Sequence, residues 1–320
     1  MTASYPTARV GIARSDNRRT NVYNALDRIR DDVTPVLAEE ILLKPNFLSA
    51  TNQLASTHAD AIRGVIDFTM STPKPPQRVL VAEGGNEERS GQAFEEFGYE
   101  AIADEYDVQV DWFDLNQETR WETEEIELAD GTPYTVHIPR TVLDSPCTIS
   151  VAVAKTHDVC VVTLALKNMI MGTIRKDDRV KMHGFRSHAE RELPTEARRL
   201  NVNLMRLSQH LKPNVAIVDG TEGLQGNGPG GTDVVDLGFA AAGVDVFAVD
   251  AVVTKAMGFE PAEQGILHYA QRLEVGIADL ERIEVLGEDL DAVIRSFLPH
   301  ESTDQQLMWR DPSLEWQLPR

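Results

Sequence analysis

Apolar positions along the chain fall into short blocks that switch between two spacings. "ARVGIA" (8–13), "EEILLKPNF" (39–47), "RVLVAEGG" (78–85) and "VQVDWFD" (108–114) are apolar runs of strand length, the second interrupted by Pro45 and the third closed by two glycines. Between them, 22–29, 58–70 and 90–97 carry apolar residues at helical spacing. This βαβα rhythm predicts a mainly parallel sheet covered by helices. It breaks at 123–140, where Asp130-Gly131 separates two alternating segments, the pattern of an antiparallel hairpin or edge.

The rhythm resumes with "CTISVAVAKTHD", a near-continuous apolar run of the kind buried on both faces of a sheet. A helix through Lys167 follows, then an amphipathic helix over 195–211. "NVAIVDGTEG" (214–223) is another buried strand, opening into a glycine-rich loop. "VDLGFAAAGVDVFAVDAVVTKAMGF" holds a strand and a helix, 261–273 a further helix, and "IEVLGED" a last strand. From His300 the chain is irregular, with Trp309 and Trp316 expected to dock on the body. No composition shift marks a linker. The expected architecture is one α/β domain over 1–320, with helices on both faces of the sheet. Two closely joined lobes, about 1–145 and 146–300, are the alternative.

Composition narrows the class. A chain of 320 residues, 42% hydrophobic, can bury a sizeable core. Asp and Glu total 51 against 31 Lys and Arg, a formal charge of −20. Lysine is scarce, at positions 44, 74, 155, 167, 176, 181, 212 and 255. Such a carboxylate surface suits a halophile, because at about 1 M salt the Debye length is roughly 3 Å and self-repulsion is screened. An ordinary acidic cytosolic protein is the alternative. The acidity disfavours nucleic acid, which needs a basic patch, and anionic membranes. The start "MTASYPTARVGIARSDNRRT" has no apolar leader core, and no apolar run is long enough to span a bilayer. A soluble cytoplasmic protein is expected. A homo-oligomer stays open, since another subunit could help bury 159–174. Cys147 and Cys160 lack CxxC spacing and read as buried thiols, not as a disulfide framework or a cluster site.

Candidate chemistry gathers where ligands bind in open α/β sheets, at the carboxyl ends of strands. Lys44 and Asn46 fall at one such end, Glu83 at another, Lys155 and His157 at a third, Asp219 and Glu222 at a fourth. Asn227 and Gly228 follow in "DGTEGLQGNGPGG", which matches neither a Walker loop nor a GxGxxG fingerprint. Its backbone amides could still cradle an anion. Lys167 and Asn168 interrupt the apolar run 159–174. A lysine in apolar surroundings must meet an anion or lose its proton. Lys167 could form an internal ion pair with Asp219, Glu222 or Asp250. Alternatively, Lys44, Lys155 and Lys167 converge on a substrate phosphate or carboxylate. The charged segment 174–188 could cover a ligand with Arg175, Arg179 and His183, or simply connect two elements. His157, His183, Asp219 and Glu222 allow a divalent metal, with Asp219 and Glu222 as ligands, though no HxH or HxxxH spacing supports one.

The segments "LLKPNF", "AKTHDVCVVTLALKNMIMG", "VKMHG", "VDGTEGLQGNGP" and "GVDVFAVDAV" occur together in this order. In that set the chain resembles the domain of unknown function 362 family, from about residue 10 to residue 258. The resemblance implies an α/β domain with no assigned reaction. Many members add cysteine-rich ferredoxin-type segments; two cysteines cannot hold a four-cysteine cluster, so iron–sulfur chemistry is not expected here. The motifs map onto Lys44, Asn46, Lys155, His157, Lys167, Asn168, His183, Asp219 and Gly228, among others. The expected function is an enzyme of proton or group transfer acting on a small anionic metabolite. Lys44, Lys155 and Lys167 would bind the anion, Asn46 and Asn168 orient it, and His157 or His183 act as general acid–base, with Asp219 or Glu222 orienting the histidine or holding a divalent ion. A non-catalytic metabolite- or metal-binding protein partnering a redox protein is the alternative.

Overall fold

The computed structural model describes residues 7–87 and 90–319. Residues 1–6, within the stretch read as lacking a leader, lie outside it. Among the described residues, twelve strands occur in chain order: β1 (Ala8–Arg14), β2 (Glu40–Lys44), β3 (Arg78–Glu83), β4 (Gln109–Asp114), β5 (Trp121–Glu127), β6 (Pro133–Pro139), β7 (Thr148–Thr156), β8 (Val162–Thr163), β9 (Val215–Leu224), β10 (Val234–Val235), β11 (Phe239–Gly243) and β12 (Ile283–Gly287). Six helices carry the argument below: α1 (Arg18–Arg28), α2 (Ala59–Met70), α3 (Ala165–Met171), α4 (Thr195–Leu211), α5 (Val246–Ala256) and α6 (Gly265–Arg272). The 90–97 segment forms two short turns rather than one helix.

The main sheet runs β12-β1-β11-β9-β7-β2-β3-β4, with β8 and β10 pairing β7 and β9 off this path. The stretch β9-β7-β2-β3-β4 is parallel throughout. β11 reverses, pairing antiparallel with β9 and with β1, and β12 lies parallel to β1. Strands from both halves of the chain therefore share one sheet, joined where β2 pairs β7 and where β1 lies between β11 and β12. β7 is buried at every position, as expected of a central parallel strand.

Alternate residues of each strand face two apolar layers. One holds α1 and α2, with Val22, Leu26, Ile62, Val65 and Phe68 packed on Ile41, Val151 and Ile217. The other holds α3, α4, α5 and α6 against Ala152, Ala216 and Val218. The hairpin β5–β6 is a separate two-stranded sheet, not an edge of the main one. Its Ile126, Val136 and Ile138 join the second layer, and Glu124 and Glu127 meet Arg206 (3.2 Å) and Arg199 (3.1 Å) of α4. In the tail, Trp309 docks as expected and donates Nε1–H to Glu263 O at 2.6 Å. Trp316 does not; it is 69% exposed. No described helix is long and apolar enough to cross a membrane.

Candidate functional site: a lysine-lined cleft at the strand ends

The carboxyl ends of β2, β3 and β7 bring their polar residues together. β2 ends in Lys44, which is fully buried. Its ammonium forms an ion pair with Glu83 at the end of β3 and also donates to Pro45 O at 2.8 Å. Burial pushes the pKa of Lys44 down and that of Glu83 up, while their mutual attraction opposes both shifts. Gly172, just past α3, closes over this pair: a Cβ there would collide with Lys44 Nζ and lie 2.8 Å from Glu83 Oε1. Lys44 is therefore an internal cation beneath the site, and does not line the cleft as a ligand lysine would.

Lys155, near the end of β7, is in a different position. It is 1% exposed, yet it borders a cleft of about 510 Å³. Nζ donates to Asn46 Oδ1 at 2.6 Å and to Ala55 O at 2.8 Å. Two of its three hydrogens are thus held by neutral oxygens. Burial, reinforced by the Lys167 cation, pulls its pKa down to about 7.

α3 explains why Lys167 and Asn168 sit in an apolar run. Asp250 of α5 caps this helix, accepting from Ala165 N at 2.8 Å and Leu166 N at 3.1 Å. Asp250 is thereby spent on backbone and forms no ion pair with Lys167. Asn168 turns inward, donating to Lys44 O at 3.2 Å and Ser150 Oγ at 3.0 Å, and accepting from Asn46 Nδ2 at 3.0 Å. It ties β2, β7 and α3 together. Lys167, one residue earlier, faces the cleft and lies 2.7 Å from His157 Nε2.

His157 and His183 both line this cleft, each backed by a carboxylate. Asp158 Oδ1 is 2.9 Å from His157 Nδ1. The Val159 N–H donates to the same nitrogen at 3.0 Å, while the Asp158 carboxylate stands beside it without being aligned as a hydrogen bond. The other ring nitrogen, Nε2, meets the Lys167 ammonium. Burial and the Lys167 cation push the His157 pKa down to about 3, so the ring stays neutral. Glu196 Oε1 is 2.6 Å from His183 Nδ1, although not aligned as a hydrogen bond. Burial lowers the His183 pKa and Glu196 opposes the shift. Arg191 bridges the two carboxylates, pairing with Asp158 at 2.9 Å and with Glu196. A continuous polar chain therefore runs Lys167–His157–Asp158–Arg191–Glu196–His183.

Segment 174–188 forms one wall. It folds as two short helical turns, Lys176–Asp178 and Arg179–Met182. Arg179 is buried against Gly84 O and Gly85 O, the latter at 3.2 Å, so it anchors this wall. Arg175 pairs with Asp178 at 3.1 Å and does not line the cleft. Lys176, Lys181 and His183 do. Four of the eight lysines thus border one cavity: Lys155, Lys167, Lys176 and Lys181. Among the described residues none of the four has a carboxylate within 4.0 Å.

Several expected residues lie elsewhere. Asp219 and Glu222 both pair with Arg18, at 2.7 and 2.8 Å, and neither reaches the cleft or Lys167. Asp219 and Glu222 therefore orient neither histidine. No group of three or more His, Cys, Asp or Glu among the described residues is placed to hold a metal ion. Asn227 is exposed and accepts from Glu301 N at 3.0 Å. Gly228 packs on the backbone of Thr156, where a Cβ would lie 2.7 Å from its carbonyl carbon. Only Pro229 of that loop touches the cleft. Both cysteines are free thiols.

Other site residues carried no sequence signal, or a faint one. Asp158 and Arg191 are among them, though Asp158 stands next to His157 in "KTHD". Thr163 is buried at the cleft wall with its hydroxyl unpartnered. Gln306, far along the chain, accepts from Val161 N at 2.6 Å and donates to His157 O at 3.0 Å. It clamps the loop after β7, in which Val161 adopts φ 62°.

A two-faced α/β sheet with a cleft at its strand ends defines the structural class. The chain belongs to the family described as "Domain of unknown function (DUF362)", whose profile matches residues 41–255. A curated relative, "Thylakoid-associated protein sll1697" from Synechocystis sp., is 26% identical over 138 residues, 43% of this chain. The match spans only 40% of that protein's own length. Among solved structures, the lactate racemase apoprotein from Thermoanaerobacterium thermosaccharolyticum aligns with a TM-score of 0.43 and 12% identity, covering 67% of this chain and 50% of that one.

Proposed function

We propose that the chain is an enzyme acting on a small carboxylate- or phosphate-bearing metabolite held in this cleft. The observation that carries the proposal is that Lys155 and Lys167 border one cavity with no carboxylate to neutralise them. Cations left unpaired at the base of a cleft are costly unless an anion enters. Lys155 and Lys167 supply that attraction, Asn46 fixes the Lys155 ammonium, and Thr163 offers a hydroxyl to the ligand.

Acid–base work falls to His183. Among the described residues its Nε2 has no hydrogen-bond partner and is left for the ligand, while Glu196 stands behind Nδ1. His157 holds Lys167 instead, since its Nε2 is already engaged. The reaction class this equipment fits is proton transfer to or from a bound anion.

Differential scanning fluorimetry and calorimetry with sulfate, phosphate and small carboxylates test the site. Stabilisation by at least one anion is expected, and its loss in both Lys155→Met and Lys167→Met. Unchanged responses in both variants would end the lysine-site assignment. His183→Asn should bind the same anion and fail to turn it over. Stoichiometric binding with no turnover by the unaltered protein would instead favour a metabolite-binding protein.

A further inference from the structure

Resting on the binding site just proposed, we infer that its ligand carries two separated anionic groups, one for an inner and one for an outer lysine pair. The three arginines that line the cleft are already committed. Arg179 is spent on backbone carbonyls, Arg186 pairs with Asp130 at 2.8 Å, and Arg191 bridges Asp158 and Glu196. What remains is four lysines carried by two parts of the fold. Lys155, buried, and Lys167, half-buried, stand on β7 and α3. Lys176 and Lys181 stand on the helical turns of the opposite wall, both half-buried.

The outer pair is built in as well. The Lys181 ammonium lies 5.6 Å from the centre of the Tyr134 ring and donates to Asp177 O at 2.7 Å. Of the other three lysines, Lys167 is the one whose charge acts on Lys155, so those two stand together as one group. The volume, about 510 Å³, is that of a metabolite site and leaves an inorganic phosphate with most of the cleft empty. In a chain with eight lysines and a net charge of −20, placing four of them unpaired on one cavity fits a ligand with negative charge at both ends.

Calorimetry at fixed ionic strength tests this, using inorganic phosphate and alkane bisphosphonates of increasing chain length as probes. One chain length is expected to bind roughly tenfold or more tighter than phosphate, because the second group engages a site already close by. Lys176→Met/Lys181→Met should abolish that gain and leave phosphate affinity unchanged. The inference is overturned if no length exceeds phosphate, if the gain survives in the double variant, or if the double variant loses phosphate as well. Lys155→Met, with Lys167→Met as a second variant should the first misfold, reports on the inner site alone. Phosphate binding undiminished in either folded variant would point to failure of the proposed site itself, a result distinct from the other outcomes.

Discussion

Lys155 makes anion binding depend on pH in a direction that the structure fixes. Its pKa of about 7 lies below the ordinary 10.5 because burial and Lys167 disfavour the charge. An anion in the cleft needs the ammonium, so binding above pH 7 must take up a proton. That uptake costs about 1.4 kcal/mol per pH unit, a tenfold loss of affinity for each unit. Sulfate is the suitable probe, since its own charge is constant over this range, and His157 stays neutral throughout. Affinity is expected to hold level up to about pH 7 and to fall about 100-fold by pH 9. Calorimetry at pH 8 in buffers of different ionisation enthalpy should register nearly one proton taken up per ligand. Folding stability of the unliganded chain runs the other way. Between pH 7 and 10.5 the unfolded chain holds the proton that the folded one has released, so the Lys155 contribution to stability rises with pH. Comparing the unaltered protein with Lys155→Met isolates that slope from the other titrating groups. Affinity that stays flat from pH 6 to 9, or binding at pH 8 with no proton taken up, would refute the reasoning.

Other residues give sharper tests of the scaffold. Glu83→Gln leaves the Lys44 ammonium buried among neutral oxygens, which should cost about 3–5 kcal/mol, or about 4–7 °C of melting temperature for a chain this long. Calorimetric melting within about 1 °C of the unaltered protein would mean the pair is not ionised. The apolar double change Lys44→Met/Glu83→Leu should recover much of the loss. Gly172→Ala drives a methyl into the same pair and should cost about 1–3 kcal/mol in urea unfolding; an unchanged midpoint would show that the pair can move aside. Gln306→Ala strands the buried Val161 N–H, so hydrogen exchange at residues 157–161 should quicken and anion affinity should drop; exchange as slow as before would argue against the clamp.

The parallel half of the sheet was legible because β2, β3, β4 and β7 are each a single short apolar run between helical segments. β11 was harder to orient. "FAAAG" is buried at every position, so no alternation marks its faces and nothing local records that it runs against its neighbours. Lysine scarcity led to Lys155 and Lys167, because a residue type rarely used stands out where it is kept. The same logic over-reached at Lys44, since an apolar neighbourhood cannot distinguish a cation facing a cavity from one already satisfied within. Asp219 and Glu222 lie within β9, which runs on to Leu224, rather than at its end, and Arg18, from the start of α1, claims both. Gln306 was illegible: its partners are backbone atoms of a loop remote in sequence, and backbone groups leave no imprint on residue choice.

β1 lies between β11 and β12, whose residues 239–243 and 283–287 are far away along the chain. That position has a kinetic cost. The strand that begins the described fold has no neighbours of its own until nearly the whole α/β body has been laid down, and closing so large a loop is slow. Refolding from denaturant should therefore show the body around β2, β3 and β7 gaining protection first, with β1 arriving last as the strand that seals one flank. Until then the apolar stripe of α1 has nowhere complete to settle, and this late intermediate is where aggregation would begin.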